Sequence, residues 1–375
     1  MNTPTNPRSS RRRFLRDALT VAATPLVTGC ASLPFLRKKT LLVFGGTNFT
    51  GPAIVDAARA RGFEVTLFTR GKTNAELFPE LEHLIGDRDP DVGDGLKALE
   101  GRSFDAVIDT SGHVPRHMKA SCSLLKDKVG AYAFVSSMNA YADNATAGAD
   151  ETAPLAHLER ETEDFRDFAA FGPLKVLCEQ EVTAAFGEHG AIVRPGLIVG
   201  PRDRSERFPY WVARADRGGE ILAPGDPNAR VTLIDSRDLA EFLVELVDRR
   251  VGGAFNAVGP EGGQPMKDIL AACQRAAGTP STLEWVDADF LLSHGVAAWS
   301  EMPLWLPPDP GLVGFHTRSI ARALAAGLRF RPIDETAADA LAWWRALPED
   351  KRVFKRAMTA TRERELLEEW RMLRA

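Results

Sequence analysis

The segment FGPLK places two unlike side chains, Phe171 and Lys175, four positions apart. At that spacing two residues share one face of a helix, so an ammonium group would lie beside a phenyl ring. The lysine offers a positive charge and three hydrogen-bond donors, whereas the phenyl ring cannot give or take a proton. The pair alone does not define a reaction, and its meaning depends on the elements that position it.

The composition is that of a globular protein. The chain has 375 residues, of which 44% are hydrophobic and 26% charged, enough for one two-lobed domain or two smaller domains. The formal net charge is -4, but residues 1–29 contain five arginines and one aspartate, a net of +4, so the rest carries about -8. This acidic body gives no reason to expect a nucleic-acid partner, and no apolar run is long enough to span a bilayer.

The basic head is typical of a targeting segment. Residues 10–15, SRRRFL, resemble a twin-arginine export signal, and the run VTGC ending at Cys30 resembles a lipobox, whose cysteine is acylated. We expect a signal peptide at 1–29, a linker at 30–38, passage through the twin-arginine export machinery, and a periplasmic protein that contacts the membrane only through a lipid on Cys30. The alternatives are an incidental cysteine beside an ordinary cleavage site, or a basic tail followed by a short core helix.

The other cysteines are Cys122, Cys178 and Cys273. An odd number at such wide spacing indicates neither a disulfide framework nor a metal cluster. We therefore expect buried free thiols and no metal site.

Residues 38–71 have the pattern of one βαβ unit, with an apolar strand, a glycine-rich turn, a helix and a second strand. Gly45 lets the backbone turn tightly, and Gly51 lets the helix pack closely on the strand with its N-terminus toward a pyrophosphate. The turn between them is completed by Thr47, Asn48 and Phe49. Asn48 replaces the middle glycine of the usual dinucleotide fingerprint, and its amide could donate a hydrogen bond to a phosphate. The turn predicts nucleotide binding, with a purely structural βα turn as the alternative.

Two cations, Arg70 and Lys72, follow the second strand. At this position an acidic residue would hold the 2'-hydroxyl of an adenosine ribose. Cations without a carboxylate favour a 2'-phosphate instead, so we expect NADP, with NAD as the alternative. A solvated loop charge is an equally good interpretation of Lys72.

Four further segments have strand patterns, with helical stretches between most of them: 81–89, 104–112, 131–137 and 190–201. This alternation predicts an α/β fold built on a doubly wound parallel sheet. Ligands of such sheets bind beyond the carboxyl ends of the strands. Besides the glycine turn, that edge would bring together Arg70, Asp87, Thr110, Ser137 and Pro195.

The order of motifs resembles that of extended or atypical short-chain dehydrogenases/reductases of the NAD-dependent epimerase/dehydratase family. The motifs are GGTNFTG, GDRD, FVSSMNAY, FGPLK, RPGLIVGP, IDSRDLA and FNAVGP. The resemblance covers roughly residues 39–260 and implies a Rossmann-like sheet that binds a nicotinamide nucleotide, without specifying a reaction. It implies that Ser137 hydrogen-bonds the reacting hydroxyl or carbonyl, that Asp87 lies near the adenine, and that Lys175 holds the nicotinamide ribose. The glycine turn also resembles that of plastid relatives reported to bind RNA.

In active members of that family a tyrosine stands four residues before the lysine and exchanges the substrate proton. Here that residue is Phe171. A positioned acid or base contributes about 10² to 10⁴ in rate, so its loss should remove most of the chemistry while ribose binding persists. Candidate replacements are Tyr141, which is the nearest phenol in sequence, His113 and His157. Each also has a structural interpretation, as a helix-packing tyrosine or as surface histidines.

A smaller C-terminal substrate lobe is expected from residues 202–236 and 259–375. The nucleotide-binding domain would then comprise 39–201 and 237–258. Lobes of this kind normally supply substrate specificity in the family that the chain resembles.

Within this lobe, Arg204 and Arg207 of the segment RDRSERFPYW could clamp an anionic or sugar group. The alternative is a polar loop that leads into an apolar helix. Trp299 and Trp305 could belong to a rigid loop that lines a cleft, although packing in the core is the simpler interpretation.

These patterns support three functions. The first is an exported NAD(P)-dependent oxidoreductase or epimerase-like enzyme for a small polar, sugar-like molecule, which retains its cofactor because reduced nicotinamide is not expected to be replenished outside the cytoplasm. The second is an NAD(P)-binding module that has lost catalysis, because of Phe171. The third is RNA binding, which the acidic body and the export signal oppose. The sequence leaves the oligomeric state open, with a homodimer as one candidate.

Overall fold

The computed structural model describes residues 37–375. The predicted signal peptide, Cys30 and most of the predicted linker lie outside the described residues. The strands are β1 (Thr40–Phe44), β2 (Glu64–Thr69), β3 (Glu82–Ile85), β4 (Ala106–Asp109), β5 (Tyr132–Val135), β6 (Gly190–Pro195), β7 (Leu197–Val199), β8 (Gly219–Pro224), β9 (Arg230–Val231), β10 (Leu233–Asp235), β11 (Gly253–Ala257), β12 (Gln264–Pro265) and β13 (Ser281–Val286).

The helices alternate with the strands over most of the chain. They are α1 (Thr50–Ala60), α2 (Pro115–Leu125), α3 (Phe168–Phe186), α4 (Phe208–Arg217), α5 (Ser236–Arg249), α6 (Met266–Ala277), α7 (Ala288–Ser293), α8 (Ala321–Ala326), α9 (Ile333–Ala346) and α10 (Ala360–Arg374). Three helices have an N-cap side chain that accepts a hydrogen bond from a backbone N–H of the first turn: Asp167 for α3, Asp235 for α5 and Thr359 for α10. Within the described residues no helix is long and apolar enough to cross a membrane.

Seven strands form one parallel sheet in the order β11-β6-β5-β4-β1-β2-β3. The chain runs outward from β1 in one direction and then returns to build the other half, which is the doubly wound arrangement predicted from the sequence. The predicted strand segments are confirmed, except that the last one divides. After β6 the chain turns at Gly196, and β7 leaves the sheet to pair with β10.

Both faces of this sheet are buried. Along β1, Leu41 and Val43 pack on one side with α1 and α5, whereas Leu42 and Phe44 pack on the other side with α2 and α3. This burial on two faces explains why the strands read as continuous apolar runs.

The C-terminal lobe has a hydrophobic core of its own. Its members come from the pair β8 and β13 and from α4, α6, α9 and α10, and Trp305 is buried among them as expected. The segment around α8, which lies within the predicted lobe, packs instead on the sheet through Ala323, Ala326 and Leu328. The expectation for Cys122, Cys178 and Cys273 is confirmed, because all three are buried free thiols.

Helix α3 approaches the turn after β5 unusually closely. A Cβ atom at Gly172 would overlap the carbonyl oxygen of Asn139. Farther along the helix, Glu179 accepts hydrogen bonds from Arg194 Nε (3.0 Å) and Nη2 (2.7 Å) and from the hydroxyl of Ser136. These contacts hold α3 against the carboxyl ends of β5 and β6.

We predict that Gly172→Ala destabilises the protein. In an ordinary helix this change stabilises by about 1 kcal/mol, because alanine is the better helix former. Here the added methyl group meets backbone, so we expect a net loss of about 1–3 kcal/mol in the free energy of unfolding, measured by urea denaturation. Gly190→Ala is the matched control, because its Cβ would have its nearest neighbours at 3.4 Å. A Gly172→Ala variant as stable as the wild type would show that α3 does not depend on this approach.

Candidate functional site

A cleft of about 830 Å³ opens at the carboxyl edge of the sheet. Its lining includes the residues that directly follow six strands of the sheet, β1 to β6, as expected for a doubly wound sheet. It is lined by most of the positions predicted from the sequence, namely Gly45, Thr47, Asn48, Phe49, Arg70, Asp87, Thr110, Ser137, Lys175 and Pro195. The predicted convergence of separate segments is therefore present.

The glycine turn brings the backbone to the wall of the cleft. Gly45 has φ 103°, and a Cβ there would lie 2.5 Å from Thr110 Oγ1. Gly51 does not line the cleft; it is buried against the backbone of Gly46, which is the close helix-strand packing predicted for it. The N-terminus of α1 follows Phe49 and has no side-chain cap, so its positive end is open to an anion in the cleft.

Two exposed cations lie at the β2 end of the cleft. Arg70 and Lys72 both line it, and neither has an ion-pair partner within the part of the chain that the structure describes. Asp87 lines the same region and accepts a hydrogen bond from the backbone of Asp89 (3.0 Å).

Lys175 is buried at the centre of the cleft wall. Its Nζ donates to the carbonyl oxygens of Gly112 and Val135, each at 2.7 Å, and lies 4.4 Å from the ring centroid of Phe134. An ammonium group has three donors, so one remains for a ligand. Burial lowers the pKa of Lys175 to about 8.

Ser137 presents its hydroxyl group to the same wall. Its Oγ accepts a hydrogen bond from Asn139 N (3.1 Å), which starts the short 3-10 turn after β5. The hydroxyl hydrogen has no acceptor among the described residues and remains for a ligand oxygen.

Phe171 lines the cleft beside His113, with ring centroids 6.3 Å apart. His113 stacks on Phe165 at 4.9 Å, and its Nδ1 is buried without a partner among the described residues. His113 is partly exposed and lines the cleft, whereas His157 is exposed and lies outside it. Burial, together with the nearby charge of Lys175, lowers the pKa of His113 to about 3, so its ring is neutral near pH 7.

Tyr141 does not supply the missing hydroxyl. Its OH donates to Asn256 Oδ1 (2.6 Å) and accepts from Arg194 Nη1 (3.0 Å), and its ring lies under the guanidinium group of Arg318. The side chain is buried in this cluster and does not line the cleft, so its prediction as a catalytic residue is wrong. The sequence has two other tyrosines, Tyr132 and Tyr210, and neither lines the cleft.

Of the two arginines predicted to bind substrate, only one lines the cleft. Arg204 is exposed and lies outside the cleft, which corrects its prediction, whereas Arg207 lines the cleft. The guanidinium group of Arg207 lies 5.7 Å from the ring centroid of Trp299, which also lines the cleft and packs edge-on against Phe315. The cleft interpretation therefore holds for Trp299.

Residues 41–258, more than half of the chain, match the model of the NAD dependent epimerase/dehydratase family. The chain belongs to this family. The fold, the glycine turn and the lysine at the centre of the cleft agree with the resemblance noted from the motifs.

One curated relative is named as a nucleic-acid-binding protein and not as an epimerase. The chloroplast stem-loop binding protein of 41 kDa b from Arabidopsis thaliana is 25% identical over 257 residues, which is 65% of this chain and 64% of that protein. The match thus spans just under two thirds of that relative.

Solved epimerase structures share the fold. UDP-glucose 4-epimerase from Thermus thermophilus, in complex with NAD, is 19% identical with a TM-score of 0.58, covering 82% of this chain and 100% of that one. A human epimerase family protein with NADPH is also 19% identical, with a TM-score of 0.53 and coverage of 81% and 99%. At these identities the likeness concerns the fold alone.

Sequence reasoning gave no role to several residues that line the cleft in this family member. Arg88 lies within the quoted motif GDRD, but its guanidinium group is used in a buried pair with Asp109 (2.6 and 2.5 Å). Thr232, Phe315 and Phe165 come from loops without periodicity, and no local signal marks them.

We predict a pH dependence of stability that is due to Lys175. Its pKa is about 8 in the folded protein and 10.5 as an ordinary lysine, so the unfolded chain binds more protons between these pH values. Stability from this group therefore rises with pH across that window, by roughly 3 kcal/mol in total.

Lys175→Met removes this effect. The free energy of unfolding of the wild type minus that of the variant should increase between about pH 8 and pH 10.5. The exposed Lys72→Met is the matched control and should leave this difference unchanged. A flat difference for Lys175→Met would refute the assigned burial cost.

Proposed function

We propose that this protein is an exported NAD(P)-dependent oxidoreductase or epimerase-like enzyme that acts on a small polar, sugar-like substrate and retains its cofactor. The observation that most supports this proposal is the cleft, in which an uncapped helix N-terminus, a serine hydroxyl and a buried lysine converge. Each of these features is one that a dinucleotide or its substrate can use.

The described residues fit a dinucleotide. The cleft extends from Arg70, which follows β2, to Pro195, the last residue of β6, and these two strands are four spacings apart, or about 19 Å. The N-terminus of α1 suits a pyrophosphate, and the free donor of Lys175 suits the hydroxyl groups of a ribose. Arg70 suits a 2'-phosphate, which favours NADP over NAD.

A bound nicotinamide nucleotide supplies hydride transfer. The protein has to hold the substrate and handle its proton. Ser137 would donate a hydrogen bond to the reacting oxygen, and the charge of Lys175 would stabilise negative charge that develops there. Both groups have a donor that is unused within the described residues.

The site lacks an efficient group for proton transfer. Phe171 cannot exchange a proton, whereas the neutral ring of His113 beside it has one nitrogen that can accept a proton. A base with a pKa of about 3 is far from the optimum near the working pH. We therefore propose slow turnover, for which long retention of the cofactor is an advantage.

We predict that Phe171→Tyr raises turnover. The phenol would lie beside His113 and Lys175, and a positioned acid or base contributes roughly 10² to 10⁴ in rate. The measurement is absorbance of the reduced nicotinamide while the protein, loaded with NADP, is supplied with a panel of sugars and polyols. Ser137→Ala in the same background should remove the gain.

The same experiment tests the non-catalytic alternative. If the wild type already turns over and Ser137→Ala abolishes this, the protein is not an inert module. If both the wild type and Phe171→Tyr bind NADP but reduce none of it with any substrate, the module is the better description.

Export is proposed from residues 1–29 and Cys30. We predict that native mass spectrometry of protein from the periplasmic or membrane fraction finds a chain that begins at an acylated Cys30 and carries one NADP. An intact N-terminus would contradict export, and a mature chain with an unmodified Cys30 would contradict lipidation. A chain without nucleotide that also binds none on titration would contradict the proposed function, and NAD in place of NADP would contradict the role given to Arg70.

RNA binding remains a remote alternative, favoured by the likeness to the chloroplast stem-loop binding protein. The charge of about -8 outside residues 1–29 opposes it, because nucleic-acid affinity depends on neutralising phosphates. A salt-dependent gel shift with RNA at physiological ionic strength would restore this alternative.

A further inference from the structure

Arg207 differs from four buried arginines of the lobe and sheet. Three of these donate to buried carboxylates, in the pairs Arg88–Asp109, Arg194–Glu179 and Arg214–Glu363. The fourth, Arg318, has buried nitrogens without partners but donates through Nη2 to Asn144 Oδ1 (3.1 Å). Arg207 has no ion pair and no hydrogen-bond acceptor within the described part of the chain, and its Nε is fully buried. A buried donor without an acceptor is costly, so its retention in a cleft wall indicates a ligand.

Asp203 interacts electrostatically with Arg207 but forms no ion pair with it. Asp203 is buried; its Oδ1 accepts from the backbone of Ser205 (2.7 Å), and its Oδ2 has no partner among the described residues. Burial raises the pKa of Asp203 and lowers that of Arg207, in keeping with two charges that lack close partners. The guanidinium group stays protonated, and Asp203 attracts it without forming an ion pair, so its donors remain available to a ligand in the cleft.

An aromatic platform adjoins this charge. Trp299 lies under Arg207, and Phe315 packs against Trp299 with ring centroids 5.6 Å apart at 89°. Trp299 has φ 66°, a strained value for a bulky residue, and is held there by hydrogen bonds from its N–H to Met302 O and Trp305 O, each 3.1 Å. Such strain is maintained most often at ligand sites.

We propose that Arg207, Trp299 and Phe315 form an oxyanion subsite, and that the substrate is therefore a sugar-like molecule with a carboxylate or phosphate group. This inference rests on the proposed function, because it assigns the substrate end of the same cleft. Arg207 follows β7 and lies on the β6 side of the sheet, whereas Arg70 lies beyond β2. The planar guanidinium group suits either oxyanion through paired hydrogen bonds, and the rings suit the apolar face of a sugar.

The test is binding of defined probes to the full-length protein in the presence of NADP. Glucuronate and glucose 1-phosphate are titrated against neutral glucose, with calorimetry as the readout. We expect at least one anionic probe to bind more tightly than glucose, and Arg207→Gln to weaken it by about 10- to 100-fold. Arg207→Lys should recover only part of this affinity, because lysine keeps the charge but not the planar fork.

Arg204→Gln is the matched control. It removes the same charge three residues earlier, from an exposed side chain outside the cleft, and should leave the affinity unchanged. Tighter binding of glucuronate would indicate a carboxylate substrate, and tighter binding of glucose 1-phosphate would indicate a phosphorylated substrate. The subsite is refuted if no anionic probe binds better than glucose, or if Arg204→Gln and Arg207→Gln weaken binding equally.

The NADP titration separates this inference from the proposed function. Arg207→Gln should bind NADP as the wild type does, and this also verifies that the variant is folded. Loss of probe binding with NADP binding intact supports the subsite. A wild type that binds the anionic probe through Arg207 but never binds NADP refutes the proposed function and leaves the subsite standing.

Discussion

The buried ion pair between Glu179 and Arg194 fixes the helix on which the cleft depends. Phe171, Lys175 and Glu179 follow one another at intervals of four, so one face of α3 contains all three. Because Glu179 is tied to β6 through Arg194 and to the end of β5 through Ser136, the other two residues are brought to the cleft wall. Breaking such a pair costs about 3–5 kcal/mol, since a buried charge is left uncompensated.

The charges of the cleft oppose those of the whole chain. The body is acidic, yet the cleft is lined by four cations against the carboxylate of Asp87, namely Arg70, Lys72, Lys175 and Arg207. Arg88 is neutralised by Asp109 and adds nothing to this balance. A cationic cleft in an acidic protein concentrates anionic ligands locally while the remaining surface repels polyanions. This distribution suits a phosphorylated nucleotide and an anionic substrate better than an RNA helix.

Most of the fold could be predicted because its signals are local. Apolar runs, a glycine turn and their alternation specify a doubly wound sheet, and strand ends then place Thr110, Ser137 and Pro195 at one edge. The failures concern contacts between distant segments. The hydroxyl group of Tyr141 is hydrogen-bonded to Asn256, which is 115 positions away in sequence, and the side chain is therefore held outside the cleft. Because Arg204 and Arg207 lie in a loop without periodicity, the sequence does not indicate which of them faces the cleft. The packing of the lobe determines that it is Arg207.

The three buried thiols have a consequence for where the chain can function. Burial raises the pKa of Cys122, Cys178 and Cys273 to about 12 in each case, so the reactive thiolate is scarce at neutral pH. The described fold gains no stability from a disulfide and presents no exposed cysteine to an oxidant. The stability of the described fold therefore depends on no disulfide, which would suit the export proposed above.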